Sequence, residues 1–304
     1  CIPDASYARG EGYLNLSSSQ QLQGYFYGRL GIKPYVSRDT GKPTVDEVAL
    51  IRIANQGRAE ASMMLKVRKL MKQRSTFLDI SQLDNDGRMR CQYNPVGTKF
   101  GRISSSANIF GTGTNLQQIP HEVLTYFLAD EGYVLYSLDM SQIENRIVAY
   151  IGNIVSLINA FEKGIDSHKF TASMILSLMG QPRTLESITY EERQDFGKRV
   201  NHAFNYGRGY RAFSLEHEIP EREAKQIHSA YHMTYPQLRG SYWAFVQQEL
   251  KDSRTLTTLM HRKIQFLGLW SDKLLNEAYS AIPQSTCGDH VNERGIEFIY
   301  YNTD

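Results

Sequence analysis

Asp139-Met140-Ser141-Gln142-Ile143-Glu144-Asn145-Arg146 places a carboxylate where a Val-, Leu- and Tyr-rich stretch, residues 133–138, gives way to a helical period at Ile143, Ile147, Tyr150 and Ile151. A carboxylate at the end of a strand faces solvent or a metal. Hard cations such as Mg²⁺ take carboxylate and carbonyl oxygens and keep several waters, so Asp139 and the Met140 carbonyl would make half a site. Ser141 and Glu144 also have the spacing of a helix capping box, and on pattern alone capping is the favoured role for both. Lys198, His202 and Tyr206 lie four apart on one helical stripe, which Tyr210 extends if the helix runs past Gly207 and Gly209. A cation, an imidazole and a ring facing one way suit a nucleoside triphosphate, with charge at the phosphates and the ring against sugar or base. Between residues 193 and 211, Arg193, Lys198, Arg199, Arg208 and Arg211 face a single acid, Asp195, and a solvated basic helix is the competing reading. His228-x-x-x-His232 has the spacing of a helical metal site but lacks the intervening Glu of a metalloprotease, so a structural role is expected.

The elements that must position these residues follow from periodicity. Residues 20–31 read as a helix through Leu22, Tyr25, Phe26 and Leu30, with Ser17, Ser18 or Ser19 as cap and Gly31 as stop. Residues 45–53 and 59–71 continue the helical period, so the first eighty or so residues form a small helical subdomain. From 84 to 120 the composition turns to Gly, Asn, Ser and Thr, carrying Arg88, Arg90, Lys99 and Arg102 and a short strand candidate at 89–93. Helices dominate from 154 to 250, including a long amphipathic one over 190–206. Residues 255–259 and 263–267 form a hairpin. A last pair of helices flanks Pro283, which would open the second of them, and Gln284 by itself is a surface amide.

The 304 residues allow about two compact units, and 41% hydrophobic with 22% charged residues is ordinary globular usage, which excludes disordered and fibrous classes. With 34 Lys and Arg against 32 Asp and Glu the net charge is only +2, so a nucleic-acid surface would have to be local. The three cysteines, Cys1, Cys91 and Cys287, have neither disulfide-scaffold density nor zinc spacing, and a reducing compartment is expected. No apolar run reaches membrane-span length and no signal-like segment opens the chain. A start at Cys1 and an end directly after an apolar segment suggest a fragment.

Taken in order, these segments resemble the polymerase core of family A DNA polymerases. Gly101-Arg102-Ile103-Ser104-Ser105 resembles the family's TGRLSS, and Asn115-Leu116-Gln117-Gln118-Ile119-Pro120 its NLQNIP. Residues 139–146 resemble motif A, DYSQIELR, departing at Met140 and Asn145; Asp166-Ser167-His168 resembles DIH. Residues 202–210 resemble the KxxNFGxxYG core of motif B, which puts Lys198 and His202 where the family carries its phosphate-binding Arg and Lys. A competing register sets Lys198 on the family lysine, Asn201 on its asparagine and His202 on the aromatic position. Residues 281–289 resemble NAPMQGTAAD, and the resemblance covers most of residues 13–298.

The resemblance implies an α+β right-hand fold: partial thumb at 1–83, palm at 84–152 and again at 253–304, and helical fingers at 153–252. It implies template-directed DNA synthesis, a primer 3′-hydroxyl attacking the α-phosphorus of a dNTP with two Mg²⁺ ions. Asp139 and the Met140 carbonyl are the implied metal ligands, and Asp139, Lys198 and His202 the implied catalytic set. His168, Lys198 and His202 would steady the triphosphate, Tyr206 would lie against sugar and base, and Tyr210 with Glu144 would close the space of a 2′-hydroxyl. Tyr at 206, where many relatives carry Phe, implies easy acceptance of dideoxynucleotides. Arg102, Asn115, Gln117, Arg146 and Gln284 would contact primer-template DNA. Motif C, the His-Asp-Glu hairpin that supplies the second metal carboxylate, has no match in the sequence, nor has the upstream exonuclease domain. A further polypeptide or chain segment carrying motif C is therefore an expected partner. The motif B departures look phage-like, which implies the cytoplasm, the host's if phage-encoded. A non-enzymatic DNA-binding or degenerate polymerase fragment and a single-subunit RNA polymerase relative are the alternatives.

Overall fold

The structure is a computed structural model that describes residues 14–37, 40–136 and 139–302. Cys1, Asp304 and the last two residues of the expected strand, Ser137 and Leu138, lie outside the described residues. The chain divides into two compact units: residues up to Thr76 with Ser214–Pro220, and Phe77–Phe213 with the residues from Glu221 onward.

In the first unit Ser18 accepts from Gln21 N at 3.3 Å and starts α1 (Ser19–Gln23), which runs on as a π-helical stretch, Gly24–Arg29. Gly31, at φ 63°, turns the chain away as expected. Asp46 caps α2 (Glu47–Ala54) by accepting from Ala49 N at 2.8 Å, and α3 (Ala59–Phe77) follows, longer than its expected 59–71. Leu22, Phe26, Leu50, Ile53 and Met64 close on one another as the core of this unit, each such side chain contributing about 1.5–3 kcal/mol by leaving water.

The second unit holds the residues with chemistry. Strands β1 (Gln92–Asn94) and β2 (Ser104–Ser106) pair antiparallel with Tyr93 opposite Ser105, so the strand expected at 89–93 lies further along. After α4 (His121–Leu124), residues 133–136 are not a strand: among the described residues no strand pairs with them, and Tyr133, Val134, Leu135 and Tyr136 are 68–86% exposed. Their β-forming composition is real, but a strand needs a hydrogen-bonding neighbour. The chain continues through α5 (Ile143–Ile151), α6 (Val155–Glu162) and α7 (Ser167–Leu178). The long helix expected over 190–206 is α8 (Tyr190–Glu192), a π-helical stretch, Arg193–Lys198, and α9 (Arg199–Asn205) in succession. Gly207, at φ 76°, ends it, and Tyr210 opens a new helix, α10 (Tyr210–Glu216). Tyr210 therefore does not extend the stripe of Lys198, His202 and Tyr206. Helices α11 (Glu221–Thr234) and α12 (Ala244–Ser253) lead to the expected hairpin, β3 (Thr255–Thr257) with β4 (Lys263–Gln265), Leu256 opposite Ile264.

The last helices, α13 (Asp272–His290) and α14 (Ile296–Asn302), overturn the expected break at Pro283, because α13 runs straight through it. A proline inside a helix leaves the carbonyl four residues back without its donor. Here that carbonyl belongs to Tyr279, and the buried Tyr242 hydroxyl donates to it at 2.5 Å. Tyr242→Phe should leave a buried carbonyl unpaired and cost about 1–3 kcal/mol, read as a lower urea midpoint at unchanged m-value. An unchanged midpoint would show that the phenol is not what permits the proline.

Candidate active site

A cavity of about 460 Å³ opens between the start of α5, the start of α7, the π-helical stretch with α9, and α13, a size suited to one small-molecule ligand. Asp139, Met140, Glu144, His168, Lys198, His202, Tyr206 and Arg102 all line it. Residues from four separate stretches of sequence thus meet in one place. Asp139 is exposed and has no hydrogen-bond or ion-pair partner among the described residues, so its carboxylate is free for a ligand. Lys198 and His202 are exposed one turn apart, and the His202 ring stands edge-on to Tyr206 with centroids 5.6 Å apart.

Glu144 does not cap its helix. The N-terminal residue of α5 is set by Gln142 in the left-handed region, at φ 57°, with no side-chain cap, so the expected capping box of Ser141 and Glu144 does not form. Glu144 instead accepts from the Tyr206 hydroxyl at 2.6 Å and pairs with Arg102 through its other oxygen. Two charge-assisted bonds outweigh one cap. Burial, with the Glu144 carboxylate next, raises the Tyr206 phenol well above its ordinary value, so it stays a donor.

His168 is held from three sides. Asp166 caps α7 by accepting from His168 N at 2.8 Å and Lys169 N at 3.1 Å, while its second oxygen takes Arg193 Nε and an Arg193 terminal nitrogen at 2.8 Å each. Gly197 lets the π-helical stretch press on α7: an added Cβ would collide with the His168 carbonyl. Burial first, and Arg193 next, hold the imidazole down at about 4. The sign follows: an unfolded chain takes up this proton as pH falls through 6.5, the folded one only near 4, so stability is lost across that window. His168 alone should remove up to roughly 3 kcal/mol between neutrality and pH 4, measurable as the part of the pH dependence of the urea midpoint that His168→Ala abolishes, since burial lowers His228 and His232 as well. Constant midpoints would contradict a buried, neutral His168. Burial pushes the Asp166 carboxyl up, but Arg193 and the two amides outweigh it and leave it below its ordinary value, extending the loss to lower pH.

A buried polar chain joins α5 to α9 and was not apparent in the sequence. Tyr231 Oη donates to Asn205 Oδ1 at 2.7 Å, Asn205 Nδ2 to Asn145 Oδ1 at 3.0 Å, and Asn145 Nδ2 to Ser167 Oγ at 2.8 Å, while Ser167 donates in turn to Gln142. Asn145, one of the two departures in residues 139–146, is the link between the helices. Its mismatch with the motif was the available signal.

The residues expected on DNA are spread out. Asn115 Oδ1 accepts from Gln117 N at 3.0 Å and from Ser105 Oγ at 2.5 Å, which ties its loop to β2, and Gln117 Nε2 donates to the carbonyl of Ile103, the residue before β2, at 3.0 Å. Arg146 donates to Ser141 O at 3.2 Å and lies 4.4 Å from the Phe161 ring centre. Gln284 is half-buried on α13, one turn before the cavity-lining Cys287. Tyr210 is set against His228, ring centroids 6.1 Å apart, and is not among the residues that line the cavity, whereas Tyr206 lines it beside Glu144. His228 and His232 lie 4.6 Å apart among Phe204, Tyr231 and Trp243.

The family model for DNA polymerase family A matches residues 4–285. The chain belongs to DNA polymerase family A. The thermostable DNA polymerase I of Thermus aquaticus is 31% identical over 251 residues, 79% of this chain and 28% of that protein. DNA polymerase I of Synechocystis sp. is 31% identical over 275 residues, 87% of this chain and 26% of that protein. This family A chain thus spans less than a third of the length of these curated relatives. The solved POL domain of Pol1 from M. smegmatis, a complex with DNA primer-template and dNTP, matches with TM-score 0.73 and 26% identity over 91% of this chain and 49% of that one. The fold is accordingly the right-hand polymerase fold, helix-rich, with two small antiparallel sheets among the described residues.

Proposed function

We propose that this family A chain binds primer-template DNA and a complementary dNTP and joins the nucleotide to the primer 3′-hydroxyl, releasing pyrophosphate. The observation that carries the proposal is the single cavity shared by Asp139, His168, Lys198, His202, Glu144 and Tyr206. Lys198 and His202 supply exposed donors for phosphate oxygens, Tyr206 offers a ring face for sugar or base, and Glu144 walls the space beside it. Arg102 at the cavity edge, with Asn115, Gln117, Arg146 and Gln284, is assigned to the DNA side, although the bonds of Asn115, Gln117 and Arg146 within the chain make them supports of that surface first.

Asp139 and the Met140 carbonyl fit part of a Mg²⁺ site: they are hard oxygen donors, and the carboxylate is unpaired among the described residues. No group of three or more His, Cys, Asp or Glu that would complete such a site occurs among the described residues. Bound there, Mg²⁺ would stabilise charge on the transferring phosphoryl group. The missing carboxylate is assigned to a further segment or polypeptide carrying motif C. Support for it is the bare apolar stretch at Tyr133–Tyr136, next to Asp139 in sequence, where an added strand would bury what is now exposed.

Thumb is assigned to 1–83, palm to 84–152 and 253–304, and fingers to 153–252. No helix among the described residues is long and apolar enough to cross a membrane. A phage source and the host cytoplasm rest on the departures at Lys198 and His202. The test is binding of a fluorescent primer-template at several salt concentrations. Phosphate neutralisation predicts a steep linear fall of log K with log salt. A flat dependence would contradict a DNA-binding surface.

A further inference from the structure

Asn201 lies on α9, only 1% exposed, between the cavity and the body of α7. Its Nδ2 is 3.0 Å from His168 Nδ1. An amide nitrogen can only donate, so Nδ1 must accept, and the one proton of a neutral ring goes to Nε2. The rest of the amide is fixed by a buried chain. The Thr171 hydroxyl lies 3.2 Å from Asn201 Oδ1 and 3.0 Å from its Nδ2, and the Tyr235 hydroxyl is 2.8 Å from Thr171. Thr171 and Tyr235 are fully buried, so none of these groups can trade its partner for bulk water. In this buried group Thr171 Oγ1 donates to Asn201 Oδ1 and accepts from Asn201 Nδ2, Asn201 Nδ2 also faces His168 Nδ1, and the Tyr235 hydroxyl is hydrogen-bonded to Thr171. His168 lines the cavity, and with Nδ1 turned inward to Asn201 its Nε2 has no protein partner among the described residues.

We propose that Asn201 is a positioning residue of the nucleotide site, fixing His168 in the Nε2–H tautomer so that the ring presents a donor to a phosphate oxygen. The proposal rests on the reading of the cavity as a dNTP site. A neutral imidazole has no charge with which to attract phosphate, so the tautomer decides the sign of the contact: Nε2–H attracts an anionic oxygen, and a bare Nε2 lone pair repels it. Burial keeps the ring neutral at physiological pH. His168 therefore depends on Asn201 for its polarity, as a metal-binding histidine depends on the group behind it.

The test has two readouts on the full protein. Two-bond ¹H–¹⁵N spectra of the imidazoles, with His168 assigned by a His168→Ala control, should show Nε2 protonated in the unmodified protein. In Asn201→Asp, nearly the same size but able only to accept, the proton should move to Nδ1. Affinity for the complementary dNTP on a dideoxy-terminated primer-template should fall about 10- to 100-fold in Asn201→Asp and in His168→Ala, and the double variant should be little worse than either. DNA affinity and thermal unfolding report whether each variant keeps its fold. If His168→Ala weakens dNTP binding and a folded Asn201→Asp does not, Asn201 has no positioning role while the site assignment stands. If His168→Ala is itself without effect, the assignment of His168 to the nucleotide fails, and the positioning role with it. An Nδ1–H tautomer in the unmodified protein overturns the proposal without any variant.

Discussion

Asp139→Ala lowers the rate of nucleotide incorporation by at least about 10³-fold while primer-template affinity stays within about twofold. The two halves of this expectation come from one observation. Asp139 lines the cavity, is exposed and has no partner within the described residues, so its removal breaks nothing in the fold. Exposed substitutions away from special features usually stay within about 0.5 kcal/mol of the parent in stability. A carboxylate that serves only a ligand is felt only when the ligand is present. Single-turnover incorporation in the presence of the segment that supplies the second carboxylate, beside a DNA-binding titration, separates the two. An Asp139→Ala protein that extends primers at the parental rate would remove Asp139 from the chemistry.

Glu144→Ala should reduce discrimination between dNTP and rNTP by about 10²-fold in the ratio of their kcat/KM values, with Glu144→Gln retaining most of it. Glu144 is half-buried at the cavity wall and pinned on both sides, by Arg102 and by the Tyr206 hydroxyl at 2.6 Å. On the proposed function a side chain fixed this way is a rigid wall, which a sugar bearing an extra hydroxyl would meet and a deoxysugar would clear. Truncation opens the space and leaves the Tyr206 phenol without its acceptor. Glutamine keeps the volume and an acceptor oxygen. The Glu144/Tyr206 pair should also couple, so that Tyr206→Phe changes discrimination in the parent and hardly at all in Glu144→Ala. Unchanged selectivity in Glu144→Ala would place the steric wall elsewhere.

Much of the frame was legible in the amino-acid pattern. The period of Ile143, Ile147 and Ile151 gave α5 at its observed bounds, and residues 255–267 gave the β3–β4 hairpin. The misreadings share a cause, since each depends on a neighbour remote in sequence. Ser141 and Glu144 have capping-box spacing, yet Glu144 is drawn away by Tyr206 and Arg102. Pro283 looks like a helix start, and only the Tyr242 hydroxyl on the Tyr279 carbonyl lets the helix continue. Residues 133–136 have strand composition, but pairing is a property of two segments.

The site was legible where its residues follow a motif and not where they support one. Asp139, Glu144, His168, Lys198, His202 and Tyr206 converge on one cavity, whereas Tyr210 is carried off by the turn at Gly207. Arg193, Asn145 and Asn201 drew no role in chemistry from periodicity, because a buried asparagine or a paired arginine has no spacing signature. The ring beside Glu144 is that of Tyr206, whose hydroxyl donates to it at 2.6 Å.

The most direct test of the central claim is the equilibrium affinity of each of the four dNTPs for the full protein bound to a dideoxy-terminated primer-template, with each templating base in turn. The terminated primer removes turnover, so the reading does not depend on the second metal carboxylate being present. The account predicts that the nucleotide complementary to the templating base binds at least about 10-fold more tightly than the others, and that Tyr206→Ala and Lys198→Ala each weaken it. Equal affinity for all four nucleotides whatever the template, or complementary binding that both substitutions leave untouched, would contradict the cavity as the site of templated nucleotide selection.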